Sequence, residues 1–188
     1  MNKININDPE VVAAAVRVLR NGGVVMHPTE TCYGFAVDVF NEKALEKLYR
    51  LKGRDFDKPV SILVNSFEMA EKYGVFSEKA LEIARKYWPG PLSIVVPSEE
   101  KSVSIRFSDN GFCNDMVREF GGPVTTTSAN VSGNEPLYEP DLSQFGENTD
   151  VIDLVVDGGK LERKAPSTVV KIFGENVEIL RQGGIRIL

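Results

Sequence analysis

The chain has one histidine, His27, and two cysteines, Cys32 and Cys113, among its 188 residues. That scarcity removes whole classes of function. One imidazole and two distant thiols do not make a Cys/His zinc site, and two cysteines are no disulfide framework. Long apolar runs are missing as well. The stretch Val11 to Val16 is far short of the roughly 20 apolar residues that cross a bilayer. The opening segment MNKININDPE has neither the apolar core of a signal peptide nor the arginines of a transit peptide, so a cytoplasmic protein is expected. Basic charge is not in excess: 22 Lys and Arg stand against 27 Asp and Glu, a net charge of −5. A general nucleic-acid coat or an anionic-membrane binder would carry the opposite balance, although a local basic site stays open. Standard signatures are absent too. There is no GxxxxGK[ST], GxGxxG, HExxH or GxSxG, and the sequon at Asn130-Val131-Ser132 is a chance match in a cytoplasmic chain.

What is present is an ordinary globular balance, 42% hydrophobic and 26% charged, in a length that suits one domain spanning 1–188. Helical spacing of Val12, Ala15, Val16 and Leu19 follows Asp8-Pro9 and stops at Gly22-Gly23. Asn41, Ser66 and Ser77 are candidate caps for three further helices, and a short helix is expected around Asn114 to Phe120. Strands are expected at Val24 to Met26, Val60 to Val64, Leu92 to Val96, Val103 to Phe107, Val124 to Thr126, Val151 to Val156, Ser167 to Phe173, Val177 to Leu180 and Ile185 to Leu188. Helices and strands interleave, yet hairpin-length gaps such as Gly174-Glu175-Asn176 also occur. The expected fold class is α+β, a single domain with a twisted mixed β-sheet flanked by helices, and Asn134 to Asn148 is expected as a surface loop.

His27 and Cys32 could be read as a base and a thiol nucleophile, but a strand-end histidine and a small loop residue five positions apart promise no contact. Polar loops at strand ends are the better candidates. Pro28 to Gly34 is one. Lys52 to Pro59 is a second, with Arg54 and Lys58 beyond the expected helix end, where a phosphate cradle is at least as good a reading as a solvated helix terminus. In the third, alternation puts Ser102, Ser104 and Arg106 on one face of a strand. Thr125 to Gly133 is dense in small hydroxyl and amide groups, more than one helix cap requires, and suits a small polar ligand. Ser167-Thr168 and Arg181 complete the set.

Taken in order, PTETCYG, KGRDFDKP, WPGPLS, SVSIR, TTSANVSG, PSTVV and LRQGG resemble the YrdC-like family of threonylcarbamoyl-AMP synthases, from about Gly22 to Gly183. The resemblance implies a YrdC/RibB-like mixed sheet around a large basic cavity. It implies an enzyme, a nucleotidyltransferase that converts L-threonine, bicarbonate and ATP into L-threonylcarbamoyl-AMP and pyrophosphate. The product feeds N6-threonylcarbamoyladenosine formation in tRNA, through partner proteins that use the adenylate. Mg2+ is expected to arrive on the ATP, with no metal ligand from the protein. Carried over by position, Thr31, Arg106, Thr126 and Ser167 correspond to threonine-contacting positions. Arg54, Lys58, Ser102, Ser128 and Arg181 correspond to ATP-contacting positions, with Lys52 and Asn130 in the same constellation. No protein nucleophile is implied; Lys52, Arg54 and Lys58 are the candidates for charge stabilisation. Three departures stand out. Leu63 sits where some members place a threonine-binding histidine, Ser108-Asp109-Asn110 replaces a more usual Pro-containing continuation, and the chain reads as the short form without a covering second domain. Two readings compete with the synthase: a structured or double-stranded RNA binder using the same basic cavity, and a related carbamoyl-adenylate chemistry with another carbamate source. No row of stacking aromatics supports the RNA binder, and no zinc-finger or acylphosphatase-like segment supports the other chemistry.

Overall fold

A computed structural model describes residues 2–56, 59–99 and 101–187. Its strands form one sheet in the order β1-β8-β2-β3-β7-β4-β6-β5-β9-β10. These are β1 (Asn2–Asn5), β2 (Val24–Pro28), β3 (Tyr33–Ala36), β4 (Ser61–Val64), β5 (Leu92–Pro97), β6 (Ser102–Phe107), β7 (Val124–Ser128), β8 (Ile152–Asp157), β9 (Thr168–Phe173) and β10 (Asn176–Arg181). Four pairs are parallel (β1 with β8, β2 with β8, β4 with β6, β5 with β9) and the others antiparallel, so the sheet is mixed, as the interleaved pattern suggested.

The helices are α1 (Val11–Arg20), α2 (Glu42–Lys52), α3 (Phe67–Tyr73), α4 (Glu78–Tyr87) and α5 (Gly111–Phe120). Three start where the sequence placed a cap. Asn41 accepts from the Ala44 N–H, Ser66 from Met69 and Ser77 from Ala80, each satisfying an otherwise orphaned donor of the first turn. Helix α1 begins later than Asp8-Pro9 suggested: Asp8 accepts from the Glu10 N–H in a turn before the helix. Helix α5 begins earlier than expected, because Asn110 accepts from the Cys113 N–H and caps it there.

Helices α1 and α5 pack on the sheet through Val11, Ala15, Leu19, Met116 and Val117 against Val25, Leu63 and Leu154. Helices α3 and α4 pack with Ile62, Val64, Ile94 and Ile105 around Trp88. Alternation along β6 therefore sends Ile105 into the α4 core and leaves Ser104 and Arg106 facing the opposite way.

Three expectations need correcting. Tyr33 and Gly34, placed at the end of a polar loop, belong instead to the fully buried strand Tyr33–Ala36, which pairs with β2 and β7. Residues 134–148 are not simply a surface loop: Phe145, in a 3-10 segment at Ser143–Val151, is buried with its ring 5.4 Å from Phe35. Residues 185–187 form no strand; Thr168 Oγ1 donates to the Ile185 carbonyl and accepts from its N–H, which fixes the segment without a ladder. Leu188 lies outside the described residues. No described helix is long and apolar enough to cross a membrane.

Candidate active site

A cavity of about 750 Å³ opens on the sheet face that also carries α1 and α5, over strands those helices leave uncovered and opposite the α3–α4 core. Its wall is built from the β2–β3 turn, the end of α2, the inward-facing residues of β4 to β7, the Asn130–Gly133 loop and the ends of β9 and β10. Among the described residues four cations line it, Lys52, Arg54, Arg106 and Arg181, and no carboxylate does. A chain of net charge −5 thus concentrates positive charge in one concavity, which focuses its field on an anionic ligand. A second hollow of about 820 Å³, among Glu78, Lys79, Glu82, Arg85, Lys86 and Glu175, is wide and carries both charge signs on exposed side chains. It offers no converging polar groups, so the chemistry belongs to the first cavity.

Lys52 closes helix α2 and is 3% exposed. Its Nζ donates to the Ser128 carbonyl at 2.5 Å, the Asn130 carbonyl at 3.1 Å and Asn130 Oδ1 at 3.4 Å. All three acceptors are neutral, so burial, reinforced by the charge of Arg54, lowers its pKa to about 8. Asn130 is itself pinned, accepting from Ser128 Oγ and donating to the Val131 and Asn134 carbonyls. The hydroxyl- and amide-rich loop after β7 is therefore a clamp for a buried ammonium. Beyond Lys52, Gly53 adopts φ +54° and turns the chain back toward the cavity, a conformation that favours glycine. That turn brings in Arg54, whose Nη2 donates to the Pro59 carbonyl at 3.0 Å while its Nε is buried without a partner.

Across the cavity, Arg106 of β6 is 8% exposed. Its Nη2 donates to Glu30 Oε1 at 2.5 Å and to Thr31 Oγ1 at 3.3 Å. Burial would raise the Glu30 pKa, but the Arg106 charge and bonds from Ser108 and Arg106 outweigh it and hold the carboxyl below its ordinary value. Thr29 Oγ1 donates to the Cys32 carbonyl at 2.7 Å and accepts from the Thr31 N–H, which sets the tight turn presenting Thr31. On the third side Arg181 donates from Nε to the Ser167 carbonyl at 3.0 Å and from Nη2 to Ser167 Oγ at 2.8 Å. Gly183 permits this approach, since a Cβ there would stand 2.1 Å from the Pro166 carbonyl oxygen.

Most of the sequence-derived site residues converge. Thr31, Lys52, Arg54, Arg106, Thr126, Ser128, Asn130, Ser167 and Arg181 all line the one cavity. Ser102 does not. It shares the face of Ser104 and Arg106 but sits at the exposed outer end of β6, so Ser104 is the β6 serine on the wall, with its Oγ 2.6 Å from Ser61 Oγ. Lys58 lies outside the described residues. Leu63 pairs with Arg106 across β4 and β6 and is packed with Cys113 and Met116, a core residue without polar contacts to offer.

The rejected thiol–imidazole pair stays rejected. His27 is fully buried, donates from Nδ1 to the Pro28 carbonyl at 3.1 Å and faces Cys113 Sγ at 3.6 Å, not Cys32. Burial lowers its pKa to about 4, so it is a neutral core side chain, and burial pushes Cys113 up to about 12. Sequence reasoning gave no role to Glu30, nor to Ser108, which it noted only as part of an unusual continuation after Arg106. Glu30 stood inside the quoted PTETCYG block as its one acid, but nothing local marked it off from Asp55, Asp57 or Asp109 in the other loops.

The Sua5/YciO/YrdC family, described as "Telomere recombination", matches residues 17–183. A Methanocaldococcus jannaschii relative is 36% identical over 177 residues, 89% of this chain and 83% of that one. The threonylcarbamoyl-AMP synthase of Bacillus subtilis is 31% identical over 98% of this chain, which spans 56% of the longer protein. The structure of Pyrococcus abyssi Sua5 complexed with L-threonine superposes with a TM-score of 0.86 at 28% identity, covering 97% of this chain and 57% of that one. Escherichia coli YciO, at 19% identity, shares the fold over 99% of this chain and 96% of its own, with a TM-score of 0.85. By its sequence and its sheet alike, the chain belongs to the Sua5/YciO/YrdC family.

Proposed function

We propose that this protein is a nucleotidyltransferase, an L-threonylcarbamoyladenylate synthase that serves N6-threonylcarbamoyladenosine formation in tRNA. The observation that carries the reading is the cavity itself: among the described residues, four cations and a wall of hydroxyls with no lining carboxylate, inside an acidic protein. The names of the relatives support it, as does the threonine bound to the Pyrococcus abyssi homologue.

The threonine amine captures CO2, in equilibrium with bicarbonate, as a carbamate. A carbamate oxygen then attacks the α-phosphorus of ATP, the bond to the β-phosphate oxygen breaks, and pyrophosphate leaves. An anion approaches a polyanion, so the barrier is chiefly electrostatic. Lys52 and Arg54 on one side and Arg181 on another offer fixed positive charge to the triphosphate, with Ser128 and Asn130 completing that subsite; Lys58 is assigned to it from the sequence resemblance alone. Arg106, Thr31, Thr126 and Ser167 form the amino-acid subsite, with the Arg106 guanidinium suited to a carboxylate. Among the described residues no carboxylate lines the wall, and Mg2+ is taken to enter with the ATP substrate. The reaction needs no protein nucleophile, and positioning does the work. The unstable adenylate then passes to proteins that act on tRNA.

Calorimetry tests the division into subsites. Arg54→Ala and Lys58→Ala should each weaken ATP binding by about tenfold, the loss of one charge-assisted contact, and leave threonine binding unchanged. Two variants that bind ATP as tightly as the wild type would remove the phosphate cradle.

A further inference from the structure

Arg106 does not stand alone on the cavity wall. Behind it, away from the lining, Glu30 holds Nη2 with one carboxylate oxygen and accepts from Ser108 Oγ with the other. The Ser108 hydroxyl in turn accepts from the Asn110 N–H at 3.1 Å, and Asn114 Nδ2 donates to the Ser108 carbonyl at 3.1 Å. Asn110 caps α5. One hydrogen-bonded chain therefore runs from the start of a packed helix, through Ser108 and Glu30, to the guanidinium that faces the cavity. Ser108 is 1% exposed and is not a lining residue, so its hydroxyl serves the interior.

A guanidinium on a long stem has many rotamers and can turn its donors away from a ligand. Fixing it before the ligand arrives removes that ordering cost from binding. We propose that Glu30 and Ser108 are positioning residues: Ser108 sets the orientation of the Glu30 carboxylate, and Glu30 holds Arg106 so that its remaining donors stay presented to a substrate carboxylate. The identity of that carboxylate as threonine rests on the function proposed above; the hold on Arg106 does not.

The experiment separates the two. Nitrogen-15 spectra of the arginine side chains report hindered rotation of Arg106 Nη, and calorimetry reports threonine and ATP affinity. In the wild type Arg106 should give a resolved, slowly rotating Nη signal, assigned by its loss in Arg106→Lys. In Ser108→Ala that signal should broaden, threonine affinity should fall roughly five- to tenfold, and ATP affinity should stay within about twofold. Glu30→Gln keeps the side-chain shape and should abolish the resolved signal. A folded Ser108→Ala protein with an unchanged Arg106 signal and unchanged threonine affinity would overturn the proposal. Should Ser108→Ala not fold, an unchanged signal in Glu30→Gln overturns it equally. A wild type whose Arg106 behaves as described but which binds no threonine would support the positioning pair and remove the threonine reading.

Discussion

Arg106→Ala should lower threonine affinity by about 100-fold and leave ATP affinity within about threefold, as calorimetry would read. The guanidinium is the cation on the wall opposite Lys52 and Arg54, beside Thr31 and in register with Ser93, so its loss removes the carboxylate anchor without touching the proposed phosphate subsite. A second consequence follows from Glu30. Removing one member of a buried ion pair leaves the other uncompensated, a loss on the order of 3–5 kcal/mol. The side chains are 9% and 12% exposed, so little water is present to screen the change.

The pH dependence carries a definite sign. In the wild type the Glu30 carboxyl lies below its ordinary value, so the stability it confers is present above the unfolded-state pKa and is lost as pH falls through the folded value. Without Arg106, burial, already the largest single influence, is no longer outweighed and the carboxyl moves up. The variant should then gain thermal stability relative to the wild type as pH is lowered from neutrality toward the ordinary carboxylate range, because the raised carboxyl takes up its proton in the folded state first. Melting curves across that range check the expectation, and parallel profiles for the two proteins would contradict it.

Lys52→Met should reduce pyrophosphate-forming turnover by roughly 100- to 1,000-fold, the usual cost of removing one preorganised charge from a site of developing negative charge. Thermal stability should change little by comparison. The buried ammonium has its pKa lowered to about 8, so folding already opposes its charge below that value, and methionine fills a similar volume. The Ser128 and Asn130 carbonyls lose a donor, which offsets part of the relief. Because wild-type Lys52 sheds its proton above about pH 8, ATP affinity should decline between about pH 7 and 9 in the wild type and flatten in Lys52→Met. Between about 8 and the unfolded value near 10.4, the wild type gains stability relative to the variant as pH rises. Equal ATP affinity for the two proteins at pH 7 would remove Lys52 from the phosphate subsite.

What the sequence made legible followed from local chemistry. Asn41, Ser66 and Ser77 announced their helices because a capping side chain acts within its own turn. Arg54, Arg106 and Arg181 could be picked out as cations in strand-end loops, although their convergence depended on sheet order. The misreadings are nonlocal. Asn2–Asn5 is polar and mostly exposed and becomes a strand only by pairing with β8, some 150 residues away. Tyr33–Ala36 sits in a loop-like run and is made a strand by β2 and β7. Ser102 was placed on the correct face but too far along it, since alternation gives the face and not the depth. Glu30 and Ser108 lie 78 residues apart, and nothing in either neighbourhood reveals that they meet.

The most direct measurement is pyrophosphate release from ATP with Mg2+ and bicarbonate, with and without L-threonine, and with serine and valine as controls. The cavity as read here predicts release that requires both threonine and bicarbonate and that serine and valine do not support. No release at any threonine concentration, from protein that still binds ATP, would contradict the synthase reading; loss of ATP binding as well would leave the positive cavity to another anionic ligand.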